Sequence, residues 1–384
     1  MLFRLVLFFT LLISTVYANP SSQERNLLLS ANAYSVYDPL SEEEILHQNS
    51  DFSINVDDVN NILTSYLILK ASKSNKLDIN QLVTIDESIL KKSDHSRKRP
   101  VLFLPGDKLT VSDLILSSFF LFSIDATEIL NHFIDKHHSD LKQSLLQEEL
   151  GISCDQEVNC FISTLSGKEF THILGKTFHL MSTTFDEKDI LQTKLIVNGK
   201  EYPNQWKQSK SETTILLLYE NRPSLLGLGI TSVKNSKNNY RTVVATIQLD
   251  NIKTINEMNV LTHLLAQGVN EFETIQLFKA GDLIGSLPIL GGIHEHINIL
   301  APQDIYVTLR KIDLKESHEK KLETFIERED RIKAPIEAGE QLANFLISYQ
   351  GDILRTVPLV AEDKVQETNF LVLIKKTFHH LLDK

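Results

Sequence analysis

The chain has 384 residues, 42% of them hydrophobic, and a formal net charge of −11. This length favours two or three domains, and the hydrophobic fraction is ordinary for a globular protein with a sizeable core. An acidic chain without a long run of Lys or Arg is not typical of nucleic-acid binders, so we predict no nucleic-acid partner.

Residues 1–18 have the layout of a secretory signal peptide. Arg4 precedes an apolar run that ends in Val16-Tyr17-Ala18, and a basic start, an apolar centre and a short cleavage motif mark such segments. The alternative is a transmembrane anchor, but the run is short against the ~20 apolar residues that a bilayer span needs. The sequence therefore predicts an exported protein that is cleaved after Ala18.

Residues 31–272 predict an α+β domain. Strands are expected at 33–38 and 44–48, followed by a helix over 56–71 that Asp57 or Asp58 could cap. A very apolar helix is expected from 111 to 130. The remaining expected elements are four strands and a last helix, at 194–197, 215–219, 226–230, 241–248 and 256–269. Helices packed on an antiparallel sheet give this fold class.

Residues 273–362 predict a small all-β domain, because short alternating strands are separated by turn residues such as Gln350-Gly351-Asp352. The terminal segment, 363–384, then predicts an amphipathic helix. Its apolar side is formed by Phe370, Ile374, Phe378, Leu381 and Leu382, and its basic side includes Lys375 and Lys376. This pattern favours a helix that lies in a membrane interface, and the alternative is a helix docked on the protein itself.

The only two cysteines, Cys154 and Cys160, are candidates for a small disulfide loop, because disulfides persist in exported proteins. The alternative is two free thiols. His294 and His296 would share one side of a strand, but no third ligand accompanies them. We therefore predict no metal and no cofactor.

The order of these parts resembles the low-molecular-mass penicillin-binding D-alanyl-D-alanine carboxypeptidases (peptidase S11-like) from about residue 33 to 384. The resemblance rests on short matching stretches in the same order along the chain: Tyr34, Asp38, Gln48-Asn49, Asp51, Thr64-Ser65-Tyr66, Leu104-Pro105-Gly106, Val111-Ser112-Asp113, Asp125-Ala126, Val197-Asn198-Gly199, Lys279-Ala280-Gly281 and Phe378-His379-His380. It implies a transpeptidase/β-lactamase-like domain, then a β-sandwich domain, then an amphipathic membrane anchor.

The family's chemistry needs a serine and a lysine one helical turn apart (S-x-x-K), so that the lysine can take the serine proton. Counting back from Thr64-Ser65-Tyr66 puts Asp58 at the serine position and Asn61 at the lysine position. An aspartate carboxylate can act as a nucleophile in some enzymes, but an asparagine amide cannot serve as its base.

The other two family motifs are also replaced. Where the resemblance implies S-x-N, this chain has Phe122-Ser123-Ile124. Where it implies K-T-G, this chain has Thr231-Ser232-Val233. The apolar replacements Phe122, Ile124 and Val233 predict a more apolar, even closed, groove.

The resemblance and the motif losses together predict a catalytically inactive homologue. It would act in the cell envelope as a peptidoglycan-related binding or scaffold protein on the outer face of an inner membrane. Its expected partners are peptidoglycan or an envelope protein, with the membrane surface reached through the terminal helix. The alternative is an active serine-type D-Ala-D-Ala carboxypeptidase that trims pentapeptides through a site not recognised here.

Overall fold

The computed structural model of the protein describes residues 33–90, 103–138, 147, 163–190, 192–208, 214–221, 224–234, 240–249, 257–315, 322–328 and 331–368. The helices of these residues are α1 Val56–Lys73, α2 Glu87–Leu90, α3 Val111–Leu121, α4 Ile124–His137, α5 Gly167–Thr184, α6 Glu187–Ile190, α7 Glu257–Glu271 and α8 Lys311–Lys315.

The strands come mostly as antiparallel neighbours. They are β1 Ala33–Asp38, β2 Glu43–Gln48, β3 Ser53–Asn55, β4 Leu82–Thr84, β5 Lys108–Thr110, β6 Thr164–Ser166, β7 Lys194–Val197, β8 Lys200–Pro203, β9 Lys207–Gln208, β10 Thr214–Asn221, β11 Ser224–Lys234, β12 Tyr240–Leu249, β13 Phe272–Phe278, β14 Leu283–Leu290, β15 His296–Leu300, β16 Ile305–Arg310, β17 Leu322–Arg328, β18 Ile332–Lys333, β19 Gln341–Tyr349 and β20 Asp352–Ala361.

A six-stranded sheet, in the order β2-β1-β12-β11-β10-β9, is the centre of the first part of the chain. One face packs on α1, α3, α4 and α5 in the largest hydrophobic cluster, and the other face packs on α7. Because helices cover both faces of this sheet, the residues of its central strands are apolar whichever face they point to.

The second part of the chain has its own hydrophobic cluster, built on the sheet β17-β19-β20-β15-β14-β18 and the pair β13-β16. Val365 is 3% exposed in this cluster, and Thr368 N donates to Gly291 O at 2.7 Å. Residues 363–368, which the sequence assigned to the terminal anchor, therefore pack on the β domain. Among the described helices, none is long and apolar enough to cross a membrane.

Two sequence predictions about helices are wrong. The run 111–130 is not one helix: α3 ends at Phe122, whose φ of 51° is left-handed, and α4 starts afresh. The cap of α1 is neither Asp57 nor Asp58 but Asn55, whose side-chain oxygen accepts from Asp57 N at 3.0 Å. Asn is as good a cap as Asp, and the acidic pair instead lies in the first turn, where the helix dipole favours negative charge.

α5 packs across α1, β1 and β12, and this helix was not predicted from the sequence. Its start carries a capping box, in which Ser166 and Glu169 bond each other's backbone N–H. Gly175 brings this helix close to the sheet, because a Cβ there would lie 2.7 Å from the Tyr37 ring.

Hydrogen bonds between buried polar groups join the two parts of the chain. Asp38 is 0% exposed and accepts from Arg241 Nε at 2.8 Å and from Thr274 Oγ1 at 2.6 Å. Ser41 and Thr308 share a hydrogen bond of 2.6 Å between their hydroxyls, and Glu43 accepts from Thr308 N at 3.0 Å. This group of residues is called the junction below.

We expect Gly175→Ala to destabilise the protein by about 1–3 kcal/mol, because overpacking against Tyr37 outweighs the better helix propensity of Ala. Urea unfolding followed by circular dichroism measures this difference. Ser182→Ala, on an exposed position of the same helix, is the control and should change stability by less than about 0.5 kcal/mol. A stabilising Gly175→Ala would contradict the close packing of α5 on the sheet.

The junction should make stability depend on pH through Glu43. Burial and the neighbouring Asp38 charge raise the pKa of Glu43 to about 8, although the hydrogen bond from Thr308 acts against them. The pKa of Glu43 is therefore higher in the folded state than in the unfolded state. The contribution of Glu43 to the free energy of unfolding is complete below about pH 4.5 and is lost as the pH rises toward 8.

We expect Glu43→Gln to remove this pH-dependent loss of stability. In the wild type the loss is about 1.4 kcal/mol per pH unit over the pH range in which Glu43 is ionised only in the unfolded state. The amide keeps an oxygen for Thr308 N and cannot ionise. Free energies of unfolding measured from pH 5 to 9 test this, with Glu323→Gln on exposed β17 as the control. Equal pH slopes in Glu43→Gln and wild type would rule out Glu43 as the source.

Candidate functional site

The two positions that match the serine and lysine of the first motif lie on the first two turns of α1. Asp58 is half-buried, while Asn61 is 6% exposed and faces the end of α3. Asn61 Nδ2 donates to Ser118 O at 3.2 Å. The lysine position is therefore occupied by a neutral side chain that is engaged in the core.

The way in which α3 ends explains why Asn61 is needed there. Phe122 adopts the left-handed conformation, and its N–H bonds to Ser117 O rather than to Ser118 O. A carbonyl in the last turn of a helix has no helical donor and needs another partner. Asn61 supplies that donor, so it caps α3 from a neighbouring helix.

A short chain of hydroxyl groups extends this contact to the second motif position. Ser118 Oγ and Thr127 Oγ1 are 2.9 Å apart, and Thr127 Oγ1 donates to Ser123 O at 2.8 Å. Ser123 is 0% exposed, and its Oγ accepts from Ala126 N at 3.2 Å as the cap of α4. The structure thus joins the first two motif positions through backbone and hydroxyl contacts that hold helices together.

Aromatic rings fill the space beside the second motif. Phe122 is buried, and its ring centroid lies 6.3 Å from that of Trp206. Trp206 stacks on Phe119 at 5.3 Å and donates from Nε1 to Phe119 O at 3.0 Å. Ile124 is half-buried. This packing agrees with the apolar character predicted for the groove at this end.

The third motif positions lie inside the sheet. Thr231 on β11 shares a 2.8 Å hydrogen bond with Thr214 on β10, and Ser232 shares one of 3.0 Å with Thr242 on β12. Both edges of β11 are paired, one with β10 and one with β12. The pairing with β10 reaches Thr231, and the pairing with β12 continues through Ser232 and Val233. The residues just before Thr214 lie outside the described part of the chain.

The chemistry available at the matched positions is limited. Nucleophilic catalysis needs a nucleophile and a base within hydrogen-bond reach. Asn61 has no proton-accepting group of useful basicity and donates its amide N–H elsewhere. Within the described ranges, no group of three or more His, Cys, Asp or Glu residues is placed to hold a metal ion.

Sequence reasoning missed the residues that complete this arrangement, Ser118, Thr127 and Trp206. Asn61 and Ser118 are 57 residues apart, and no local pattern links them. Several predicted features lie outside the described residues: the signal peptide, Cys154 and Cys160, and the anchor residues Phe370, Ile374, Lys375, Lys376, Phe378, Leu381 and Leu382.

We expect Asn61→Leu to destabilise the protein by roughly 1–3 kcal/mol, because Ser118 O would be left buried without a donor. Chemical unfolding monitored by circular dichroism gives this value. Asn80→Leu, at an exposed position, is the control and should stay within about 0.5 kcal/mol of wild type. Equal stability of Asn61→Leu and wild type would contradict the capping role of Asn61.

Comparisons with known proteins agree on one family. Residues 272–367 match the model described as "Penicillin-binding protein 5, C-terminal domain". The chain is 20% identical to the D-alanyl-D-alanine carboxypeptidase DacF of Bacillus subtilis (strain 168), covering 87% of this chain and 85% of the relative. It is 23% identical to the D-alanyl-D-alanine carboxypeptidase DacA of Escherichia coli (strain K12), covering 92% and 89%.

Solved structures share the fold. Penicillin-binding protein 5 from Haemophilus influenzae superposes with a TM-score of 0.60 at 18% identity, covering 88% of this chain and 98% of that one. Penicillin-binding protein 6B from Escherichia coli gives 0.52 at 14% identity, covering 86% and 95%. The mixed α/β fold and the C-terminal β domain are therefore those of these proteins. The resemblance seen in the sequence is confirmed, because the family model, the curated relatives and the solved structures all point to the low-molecular-mass penicillin-binding D-alanyl-D-alanine carboxypeptidase family.

Proposed function

We propose that this protein is a catalytically inactive member of its family that works in the cell envelope as a peptidoglycan-related binding or scaffold protein. The observation that carries the proposal is the role of Asn61. The residue at the position of the catalytic base is a buried amide that caps a neighbouring helix. Removing the nucleophile or base of a covalent mechanism typically costs several orders of magnitude in rate.

The second motif supports the same proposal. Ser123 is buried and its hydroxyl caps α4, while Phe122 packs beside Trp206. An active site needs groups that are exposed to substrate and held in strained or desolvated positions, often at a cost in stability. Here the matched side chains satisfy backbone groups and fill the core, which is the work of structural residues.

We also propose that the protein is exported and lies on the outer face of an inner membrane. Support for export comes from the pattern of residues 1–18, and support for membrane attachment comes from the apolar and basic sides of residues 369–384. Its proposed partners are peptidoglycan or another envelope protein, because the two curated relatives are named for an enzyme that acts on D-alanyl-D-alanine.

Intact-protein mass after incubation with benzylpenicillin tests the absence of covalent chemistry. We expect no mass gain, while an active carboxypeptidase treated in parallel gains the mass of one drug molecule. Release of D-alanine from a pentapeptide should equally stay at the level of the buffer blank. A drug adduct on the folded protein would instead favour the alternative, an active carboxypeptidase, and peptide mapping would identify its nucleophile.

Co-sedimentation with purified peptidoglycan sacculi tests the binding part of the proposal. We expect the mature chain to sediment with sacculi in a saturable manner and serum albumin to stay in the supernatant. If the protein gives no drug adduct and does not sediment with sacculi, peptidoglycan is excluded as its partner. Another protein of the envelope is then the remaining proposed partner.

A further inference from the structure

A pocket lies between the two parts of the chain, on the opposite end of α1 from Asp58 and Asn61. Its volume is about 380 Å³, and its walls come from the β1–β2 turn, α1, α5, the segment around β16 and β20. Sites for small ligands typically occupy about 300–1,000 Å³ and favour domain interfaces. The size and the position of this pocket fit such a site.

Part of the wall is apolar or aromatic. These lining residues are Pro39, Leu40, Tyr66, Leu180 and Tyr306. Rings and aliphatic side chains supply most of the contact area in ligand sites, while a few polar groups fix the orientation of the ligand. The pocket therefore accepts a ligand with an apolar body.

Three cations line the same pocket: Lys70 from α1, Lys176 from α5 and Arg355 from β20. Of the two carboxylates in the wall, Glu42 is held by Arg355 Nη2 at 3.1 Å. The other, Asp304, accepts from Tyr306 Oη at 3.0 Å and from Ala280 N at 2.8 Å. The three cations thus outnumber the two carboxylates of the wall.

His179, which also lines the pocket, lies close to a further lysine. Burial lowers the pKa of His179, and the Lys73 ammonium lowers it further, while Glu42 acts in the opposite direction. Lys70 and Lys73 both lie in the last turn of α1. On a chain of net charge −11, this end of the pocket is a basic region.

The Tyr37 hydroxyl is a buried polar group close to residues that line the pocket. Tyr37 is 3% exposed, and its hydroxyl has no hydrogen-bond partner among the described residues. Burial and the neighbouring Glu42 and Asp38 charges raise the pKa of Tyr37, and Arg355 acts against them. Tyr37 is not itself a lining residue. Since buried hydroxyls are almost always hydrogen-bonded, its hydroxyl needs a partner such as a water.

We propose that the pocket binds a small molecule, or a chain end, that carries a carboxylate or phosphate on an apolar body. Lys70 and Lys176 hold the anion, and Tyr66 with Leu180 contacts the apolar portion. Because the walls come from both parts of the chain, the bound ligand also stabilises their arrangement. The proposal is independent of whether the former catalytic region is active.

Isothermal titration of the full mature chain with phenyl phosphate and with benzoate tests this site. We expect saturable binding of at least one probe, with a Kd of about 1 mM or tighter, and a higher Tm in its presence. Tighter binding of phenyl phosphate would indicate a phosphate in the natural ligand, and tighter binding of benzoate would indicate a carboxylate. Phenol has the ring without the charge and should bind at least about tenfold more weakly, because the lysines contribute only to an anion.

Matched variants locate the binding. Lys70→Gln combined with Lys176→Gln should weaken binding about tenfold or more, since two charge-assisted contacts are lost. Lys168→Gln removes the same charge from the start of α5, outside the pocket, and should bind as wild type does.

Saturable binding that is unchanged in the double lysine variant would overturn the proposal, and so would the absence of binding by both probes. Circular dichroism of each variant confirms folding before titration. Equal affinity for phenol and the anions would also overturn it, because the pocket would then recognise only the apolar body.

Discussion

The buried carboxylate of Asp38 is the group on which the arrangement of this molecule depends. It lies at the end of β1, fully shielded from solvent, and accepts hydrogen bonds from Arg241 on β12 and from Thr274 on β13. A buried charge is tolerated only when its partners are in place, and removing one partner usually costs several kcal/mol. The first sheet and the β domain must therefore meet in one geometry for Asp38 to be satisfied.

Arg241 extends this constraint to α7. Its Nη1 donates to Gly268 O at 3.1 Å and to Phe272 O at 2.8 Å, where α7 ends and β13 begins. Cations near the last turn of a helix satisfy its free carbonyls and its dipole. One arginine thus fixes the end of a helix, the start of the β domain and the charge of Asp38.

Local sequence signals predicted much of this fold. The β7–β8 hairpin follows from Asn198-Gly199, which take the positive φ values of 49° and 72° that such a turn needs. The strands of the main sheet and α7 were also indicated by their periodicity. In contrast, α3 and α4 form one apolar run, and the residue that separates them is Phe122 rather than the Gly that usually ends a helix. The capping box at Ser166 and Glu169 was a usable sign of α5.

The candidate site was less predictable, because its contacts join residues far apart in the chain. Counting along matching stretches found Asn61 and Ser123, but no sequence rule places Asn61 beside Ser118 or Trp206 beside Phe122. The third motif shows the limit of counting. Thr231-Ser232-Val233 falls on a strand that pairs with β12 along all three residues and with β10 as far as Thr231, so its register depends on strand pairing that is set by the whole sheet.

Under the proposed function, loss of the catalytic residues and retention of the fold are physically compatible in this chain. A lysine that serves as a base must be desolvated and poised near its nucleophile, which costs stability unless it is paired. An asparagine in that position can satisfy a helix carbonyl instead, and a phenylalanine at the next motif can fill space beside Trp206. Each replacement exchanges a chemical role for a packing or capping role. A chain altered in this way can keep the family's surfaces and its two-part arrangement, and those surfaces are what a binding or scaffold protein needs.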